Sequence, residues 1–147
     1  MNPNLHVMTK TDINLVYAVE IMAYEYPWSI QNFQDCLHAG YHCWVWKFNL
    51  NVLGYGIMSV AAGECEILNL CTHPAYRRQG LGRNMLYHLL KIGKDTGVDT
   101  AFLEVREANI IALELYRQAG FNEIGIRRNY YPHSTGRMNA IMLAKML

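Results

Sequence analysis

Charge of one sign is what this sequence most plainly lacks: 13 Lys+Arg stand against 12 Asp+Glu, a formal net charge of +1. Nothing in that balance draws the chain to a nucleic-acid backbone or an anionic membrane, so any basic patch must be local. Cysteine is scarce. Cys36, Cys43, Cys65 and Cys71 form no C-x-x-C pair, and the sequence opens without a basic segment followed by an apolar one; we expect free thiols in a cytoplasmic protein. No apolar stretch approaches the roughly 20 residues of a membrane span. The six histidines are scattered without metal-ligand spacing, which implies no metal. Linkers rich in Pro, Gly or Ser, low-complexity runs and internal repeats are also missing, so the 147 residues are expected to form a single domain, 1–147.

What is present is a globular profile, 52% hydrophobic and 17% charged. A short strand around Leu5 to Met8 is followed by Thr9-x-x-Asp12, a helix start, with Ile13, Val16, Tyr17 and Ile21 at helical spacing up to about Tyr24. Pro27 ends that helix, and Ser29 is suited to cap a second one through about His38. Trp44 to Phe48 and Val52 to Val60 read as a hairpin about a turn at Asn49 to Asn51. A strand from Glu66 to Thr72 stops before Pro74, and Leu81, Met85, Leu86, Leu89 and Ile92 mark the face of a helix that ends near Gly93 to Gly97. Thr100 to Arg106 reads as a strand, Asn109 to Ala119 as a helix closed by Gly120, and Phe121 to Ile126 and Ala140 to Lys145 as further strands. Strands interleaved with helices argue an α/β (α+β) layered domain around a mixed sheet.

Arg77-Arg78-Gln79-Gly80-Leu81-Gly82 sits where the strand ending at Thr72 hands over to a helix. A helix start offers unpaired N–H groups and the positive end of the dipole, which suits phosphate, and Gly80 and Gly82 remove side chains from its path. A plain turn is the alternative reading. The Lys-Ser/Thr ending of a P-loop is missing, and Met85 replaces the third glycine of G-x-G-x-x-G, which excludes the common nucleotide loops.

These residues resemble the GNAT superfamily of N-acetyltransferases, whose coenzyme A signature [RQ]-x-x-G-x-[GA] is matched by Arg77 to Gly82. Leu68 to Pro74 resembles the strand and turn before that signature, and Asn109-x-x-Ala112-x-x-Leu115-Tyr116-x-x-x-Gly120-Phe121 a second run typical of the superfamily. Tyr26 to Ser29, Leu103 to Arg106 and Arg127 to Pro132 are similar to the RimI-like branch, the ribosomal-protein-alanine N-acetyltransferases. The resemblance implies a GNAT fold, a mixed, mostly antiparallel sheet flanked by about four helices. It implies acetyl-CoA as cosubstrate, bound by Leu70, Cys71, Thr72, Arg78, Gln79, Gly80, Leu81, Gly82, Arg83, Asn109 and Tyr116. It also implies as partner the N-terminal alanine of a small-subunit ribosomal protein, without direct nucleic-acid contact, and a monomer.

Acetyl transfer needs a proton acceptor for the amine and a proton donor for the leaving thiolate. Glu104 shares a strand face with Phe102 and Arg106, and in the RimI-like branch its position is the proton acceptor; a surface pair with Arg106 is the other reading. Tyr116 is expected to face inward, as a core tyrosine or, by the resemblance, as the donor to the coenzyme A sulfur. Asn109 is a helix N-cap by propensity. Trp28, Arg127, Tyr130 and Tyr131 are the substrate-side residues that the resemblance implies, the last three in a basic-aromatic loop. Gly136-Arg137-Met138-Asn139 departs from the RimI-like branch, in which the resemblance implies an acidic pair after Gly-Arg. Competing functions are a small-amine or antibiotic N-acetyltransferase and a non-catalytic module binding coenzyme A or the ribosome.

Overall fold

The computed structural model describes residues 2–134 and 136–147. Seven strands, β1 (Asn4–Val7), β2 (His42–Phe48), β3 (Asn51–Ala61), β4 (Glu64–Thr72), β5 (Thr100–Arg106), β6 (Asn122–His133) and β7 (Gly136–Met146), lie in one sheet in the order β1-β2-β3-β4-β5-β7-β6. Every neighbouring pair is antiparallel except β4–β5. Among the described residues four α-helices, α1 (Ile13–Ala23), α2 (Ile30–His38), α3 (Leu81–Asp95) and α4 (Ile110–Gln118), flank it, giving the mixed α/β architecture expected.

Alternation along β3 divides the core. Tyr55 and Ile57 join the cluster under α1 and α2, with Val16, Phe33 and Val45. Gly56 points the other way, beneath α3, where an added Cβ would lie 2.6 Å from Met85 Cγ. The second cluster places Met85, Leu86 and Leu89 of α3 and Leu113 and Tyr116 of α4 over Ile67, Ala101, Leu103, Val105 and Leu143.

Local chemistry sets the boundaries. Thr9 opens a short 3-10 turn (Lys10–Asp12), and its N–H donates to Asp12 Oδ2 at 2.8 Å. Ser29 Oγ accepts from Asn32 N at 3.1 Å at the start of α2. Asn109 Oδ1 accepts from Ala112 N at 3.2 Å as the α4 cap, and His73 Nδ1 accepts from Ala75 N at 3.0 Å, a turn residue as its place beside Pro74 suggests. All four cysteines are free and buried.

Two expectations need correction. Ile21 is 50% exposed, whereas Glu20 is 1% exposed; a carboxylate takes a place on the inward face of α1 that spacing assigned to an apolar residue. The final strands are also longer than Phe121 to Ile126 and Ala140 to Lys145, so Arg127 to Pro132 belongs to β6 rather than to a loop. Register shifts between Glu123 and Gly125 and between Arg127 and Tyr131 break the two-residue alternation by which a strand is recognised.

Candidate active site

The site begins at a bulge in β4. Ile57 pairs with Asn69 but Met58 pairs with Ile67, so Leu68 is an extra residue and the facing of β4 inverts across it. Cys65 and Ile67 pack under α3 and α4, while Cys71 packs under α1 and α2. Pairing of β4 with β5 stops at the same point, after Ile67 and Leu103. From there β4 continues to Thr72 beside β3, and β5 continues to Arg106 beside β7. The two parallel strands thus splay and open a cleft through the sheet.

Glu104 is the first residue of β5 beyond the paired stretch. Its side chain is 17% exposed and its Oε1 lies 2.7 Å from Arg127 Nη2. Arg127 sits on β6, with β7 between it and β5. The alternative, a surface pair of Glu104 with Arg106, is not formed; Arg106 donates to the Pro132 carbonyl at 2.6 Å instead. Glu66 lies on the same face, because Glu66 pairs with Phe102, and burial first, then repulsion from Glu104, raises its carboxyl above the ordinary range. A groove of about 300 Å³ runs along this face, lined by Glu66, Phe102, Glu104, Arg127 and Met142 among others.

On the other side of the splay stands Tyr116, buried as expected, with its ring edge-on to Phe121 at 5.9 Å. Burial raises its phenol well above the ordinary value, and nearby Tyr131 and Cys71 add to the rise. It therefore keeps its proton at neutral pH. Tyr131 is raised to about 12, by burial and then by the charge of Glu104. Burial lifts the Cys71 thiol to about 11, which suits an inert thiol rather than a nucleophile.

The α3 end of the cleft has features that could hold an anion. Arg78 and Gly80 both take left-handed φ, 64° and 79°, which turns the chain sharply into α3. Gly80 is the N-cap and supplies no side-chain acceptor. The first bond closing the helix is Asn84 N to Gly80 O, 2.9 Å, so the N–H groups of Leu81, Gly82 and Arg83 have no partner within it. A Cβ on Gly82 would approach Thr72 Oγ1 at 3.4 Å, so this helix start abuts the end of the splayed strand. Arg77, Arg78 and Arg83 form no ion pair with a carboxylate among the described residues. A pyrophosphate bearing a long arm fits these features: the anion at the helix start, the arm along Leu70 to Thr72.

The remaining predicted residues are partly exposed. Trp28 is half-buried, its ring 5.2 Å from that of Phe33. Tyr130 is 44% exposed, stacks edge-on with Tyr131 at 5.0 Å and lies under the Arg127 guanidinium at 4.7 Å. These adjacent tyrosines meet because residues 128–130 bulge opposite Asn139. Asn129 there has φ 52°, and its N–H donates to Asn139 Oδ1 at 2.9 Å. Among the described residues, no group of His, Cys, Asp and Glu that could hold a metal ion is present.

Sequence reasoning passed over a buried hub. Glu20 Oε1 accepts from Tyr55 Oη at 2.6 Å and from Asn69 Nδ2 at 3.0 Å, and its Oε2 accepts from Trp28 N at 2.9 Å. Tyr24 Oη donates to the Leu70 carbonyl at 2.9 Å. A carboxylate seven residues after Ile13 and four after Val16, both inward, was the available signal.

The Acetyltransferase (GNAT) family model matches residues 13–121. The chain is 40% identical over 134 residues to the [ribosomal protein bS18]-alanine N-acetyltransferase of Escherichia coli K12, covering 91% of this chain and 90% of that protein. It is 34% identical to the Salmonella typhimurium protein of the same name over 140 residues, 95% of each. The crystal structure of the Escherichia coli ribosomal-protein-S18-alanine N-acetyltransferase superposes with a TM-score of 0.92 at 36% identity, over 99% of this chain and 94% of that one. Family match, identity and superposition agree, and the chain belongs to the GNAT acetyltransferase family as an acetyl-CoA-dependent N-acetyltransferase.

Proposed function

We propose that this protein acetylates the N-terminal alanine of a small-subunit ribosomal protein, bS18 by the name its relatives carry, as one domain acting in the cytoplasm as a monomer. The observation that carries the reading is the position of Glu104, a shielded carboxylate at the point where β4 and β5 part. An α-amine has a pKa about 2.5 units below that of a lysine, so it loses its proton to a carboxylate or a bridging water at much lower cost.

In this reading both substrates are bound together and the amine attacks directly. Leu70, Cys71 and Thr72 line the acetyl-bearing arm, and the backbone from Arg78 to Arg83 holds the pyrophosphate. Asn109 contacts coenzyme A at the head of α4. Acetyl-CoA supplies the activated acyl group. Glu104 takes the proton from the α-ammonium, which displaces Arg127 from its carboxylate on arrival. As the C–S bond of the tetrahedral adduct breaks, Tyr116 donates its hydrogen bond, and then its proton, to the departing sulfur, and the second proton that the acylated nitrogen loses passes through solvent to restore the phenol. Trp28, Arg127, Tyr130 and Tyr131 border the acceptor peptide on either side.

The test is incubation with acetyl-CoA and an alanine-starting bS18 peptide, in parallel with a panel of small amines, read by mass spectrometry. Acetylation of the peptide at its α-amine is expected. Turnover of small amines alone would assign the site to the small-molecule branch, and coenzyme A binding without any turnover would make the protein a binding module.

A further inference from the structure

Arg106 has the chemistry of a crossbar. It is the last residue of β5, two positions beyond Glu104 and on the same face. Its guanidinium carbon lies 4.8 Å from the centroid of the Tyr26 ring and 4.6 Å from that of Tyr131. Its Nη1 also donates to the Pro132 carbonyl at 2.6 Å. Among the described residues no carboxylate pairs with it. The charge is therefore engaged by two aromatic faces and one carbonyl, an arrangement that a planar guanidinium satisfies and a surface ammonium does not.

The two rings come from segments that the sheet does not join. Tyr26 belongs to the turn between α1 and α2, which is anchored by Tyr24 Oη on the Leu70 carbonyl and by Trp28 N on Glu20. Tyr131 and Pro132 belong to β6, at the far edge of the sheet. Arg106 lies between them at the mouth of the splay. On the acceptor reading above, which puts Trp28 on one side of the peptide and Tyr130 and Tyr131 on the other, the chain enters between those two segments and their separation sets the width of its entrance.

We propose that Arg106 is a positioning residue that sets this width, holding the α1–α2 turn and the β6–β7 hairpin in register for an extended peptide acceptor. It touches neither the amine nor the thioester. The inference rests on the peptide-acceptor reading above and adds to it the residue that shapes the peptide's entrance.

The experiment compares wild type, R106Q, R106K, Y26L and the R106Q/Y26L double variant in steady-state kinetics with the bS18 peptide and acetyl-CoA, alongside thermal melts. R106Q is expected to raise the peptide KM about tenfold while kcat and the acetyl-CoA KM stay within about twofold. R106K should fall between R106Q and wild type, since it keeps the charge and loses the flat double stack. The double variant should be no worse than R106Q, because both changes break one contact. An unchanged peptide KM in R106Q overturns the proposal, as do strictly additive effects in the double variant. So does a matched rise in both KM values with a lowered Tm, which marks a merely structural residue, or a fall in kcat alone. Should R106Q fail to fold, R106K and Y26L make the same comparison. Failure of wild type to acetylate the peptide overturns the function reading and this inference with it; turnover by wild type with an indifferent R106Q overturns this inference alone.

Discussion

Glu104 and Arg127 meet at 2.7 Å across an intervening strand. The pair spans from the point where β5 leaves β4 to the edge strand β6, and it ties the candidate base to the hairpin proposed to border the acceptor. An ammonium entering the cleft competes with the guanidinium for the same carboxylate.

Glu104→Gln keeps the shape and one acceptor oxygen for Arg127 while removing the basicity. We expect kcat to fall by about 10²–10⁴-fold, the usual contribution of a positioned base, with the acetyl-CoA KM near its original value. Single-turnover acetylation followed by mass spectrometry checks this; retention of the wild-type rate would remove Glu104 from the chemistry.

Tyr116→Phe removes only a hydroxyl from a buried ring. Here kcat is expected to drop at least tenfold, with little change in the melting temperature. Burial, and then the neighbouring Tyr131 and Cys71, raise the Tyr116 phenol above its ordinary 10.0, and burial pushes Tyr131 up to about 12. Wild-type kcat should therefore show no loss from tyrosine ionisation as the pH passes 10. A fall in kcat centred on pH 10 that vanishes in the Phe variant would contradict the assigned burial.

Much of this arrangement was legible in the sequence, and the parts that were not, Glu20 aside, share one cause. The α3 entry at Gly80, the Asn109 and Ser29 caps and the alternation of Ala101, Leu103 and Val105 are local patterns, written in residues close together in the chain. Arg127 facing Glu104, Tyr26 beside Arg106, and Asn139 filling the β6 bulge are contacts between distant segments. Their geometry depends on register shifts, and a bulge leaves no periodic trace. Glu20 failed differently. Its neighbours marked the helix face, but the propensity to leave carboxylates outside outweighed a spacing that placed it inside.

Asn139 occupies part of the place where an acidic pair was expected, and the structure gives it a backbone role. Its Oδ1 accepts the Asn129 N–H at 2.9 Å, and its carbonyl accepts from Glu107 N at 3.2 Å. Asn139→Ala leaves the bulge without its acceptor, and we expect the peptide KM to rise severalfold with the acetyl-CoA KM unchanged. Asn139→Asp retains the acceptor and should restore the KM, which kinetics on the two variants will separate.

Asp12 is buried and lies 2.6 Å from Lys47 Nζ. Burial acts to raise its carboxyl pKa, yet the hydrogen bond from Lys47, the Thr9 backbone and the Lys47 charge together leave it below the ordinary 3.8. A folded-state pKa below the unfolded one contributes stability that is fully present above the unfolded value and is lost as pH falls through the folded one. Urea midpoints of wild type and Asp12→Asn should therefore differ most at neutral pH and converge on acidification below about pH 4. A difference that is constant down to the acid limit would mean that the ion pair contributes nothing.

Glu20 connects the core to the proposed acceptor entrance, and its removal should register in both. Three donors converge on it: Tyr55 Oη, Asn69 Nδ2 and Trp28 N. Glu20→Ala leaves them without their acceptor, at about 1–3 kcal/mol for each donor that water cannot reach, and opens space beneath α1. A loss of about 3 kcal/mol or more follows, a fall in Tm of about 6–12 °C for a chain of this size. Glu20→Gln retains one acceptor oxygen but turns an NH2 group toward a donor, so its loss should be smaller yet larger than that of Tyr55→Phe, which deletes a single partner. Function discriminates further, because the Trp28 bond anchors the turn that carries Tyr26. At a temperature where each variant is fully folded, Glu20→Gln should still raise the peptide KM, while Tyr55→Phe, whose loss leaves that anchor intact, should not. Equal peptide KM values for the two would separate the buried hub from the entrance and confine Glu20 to stability.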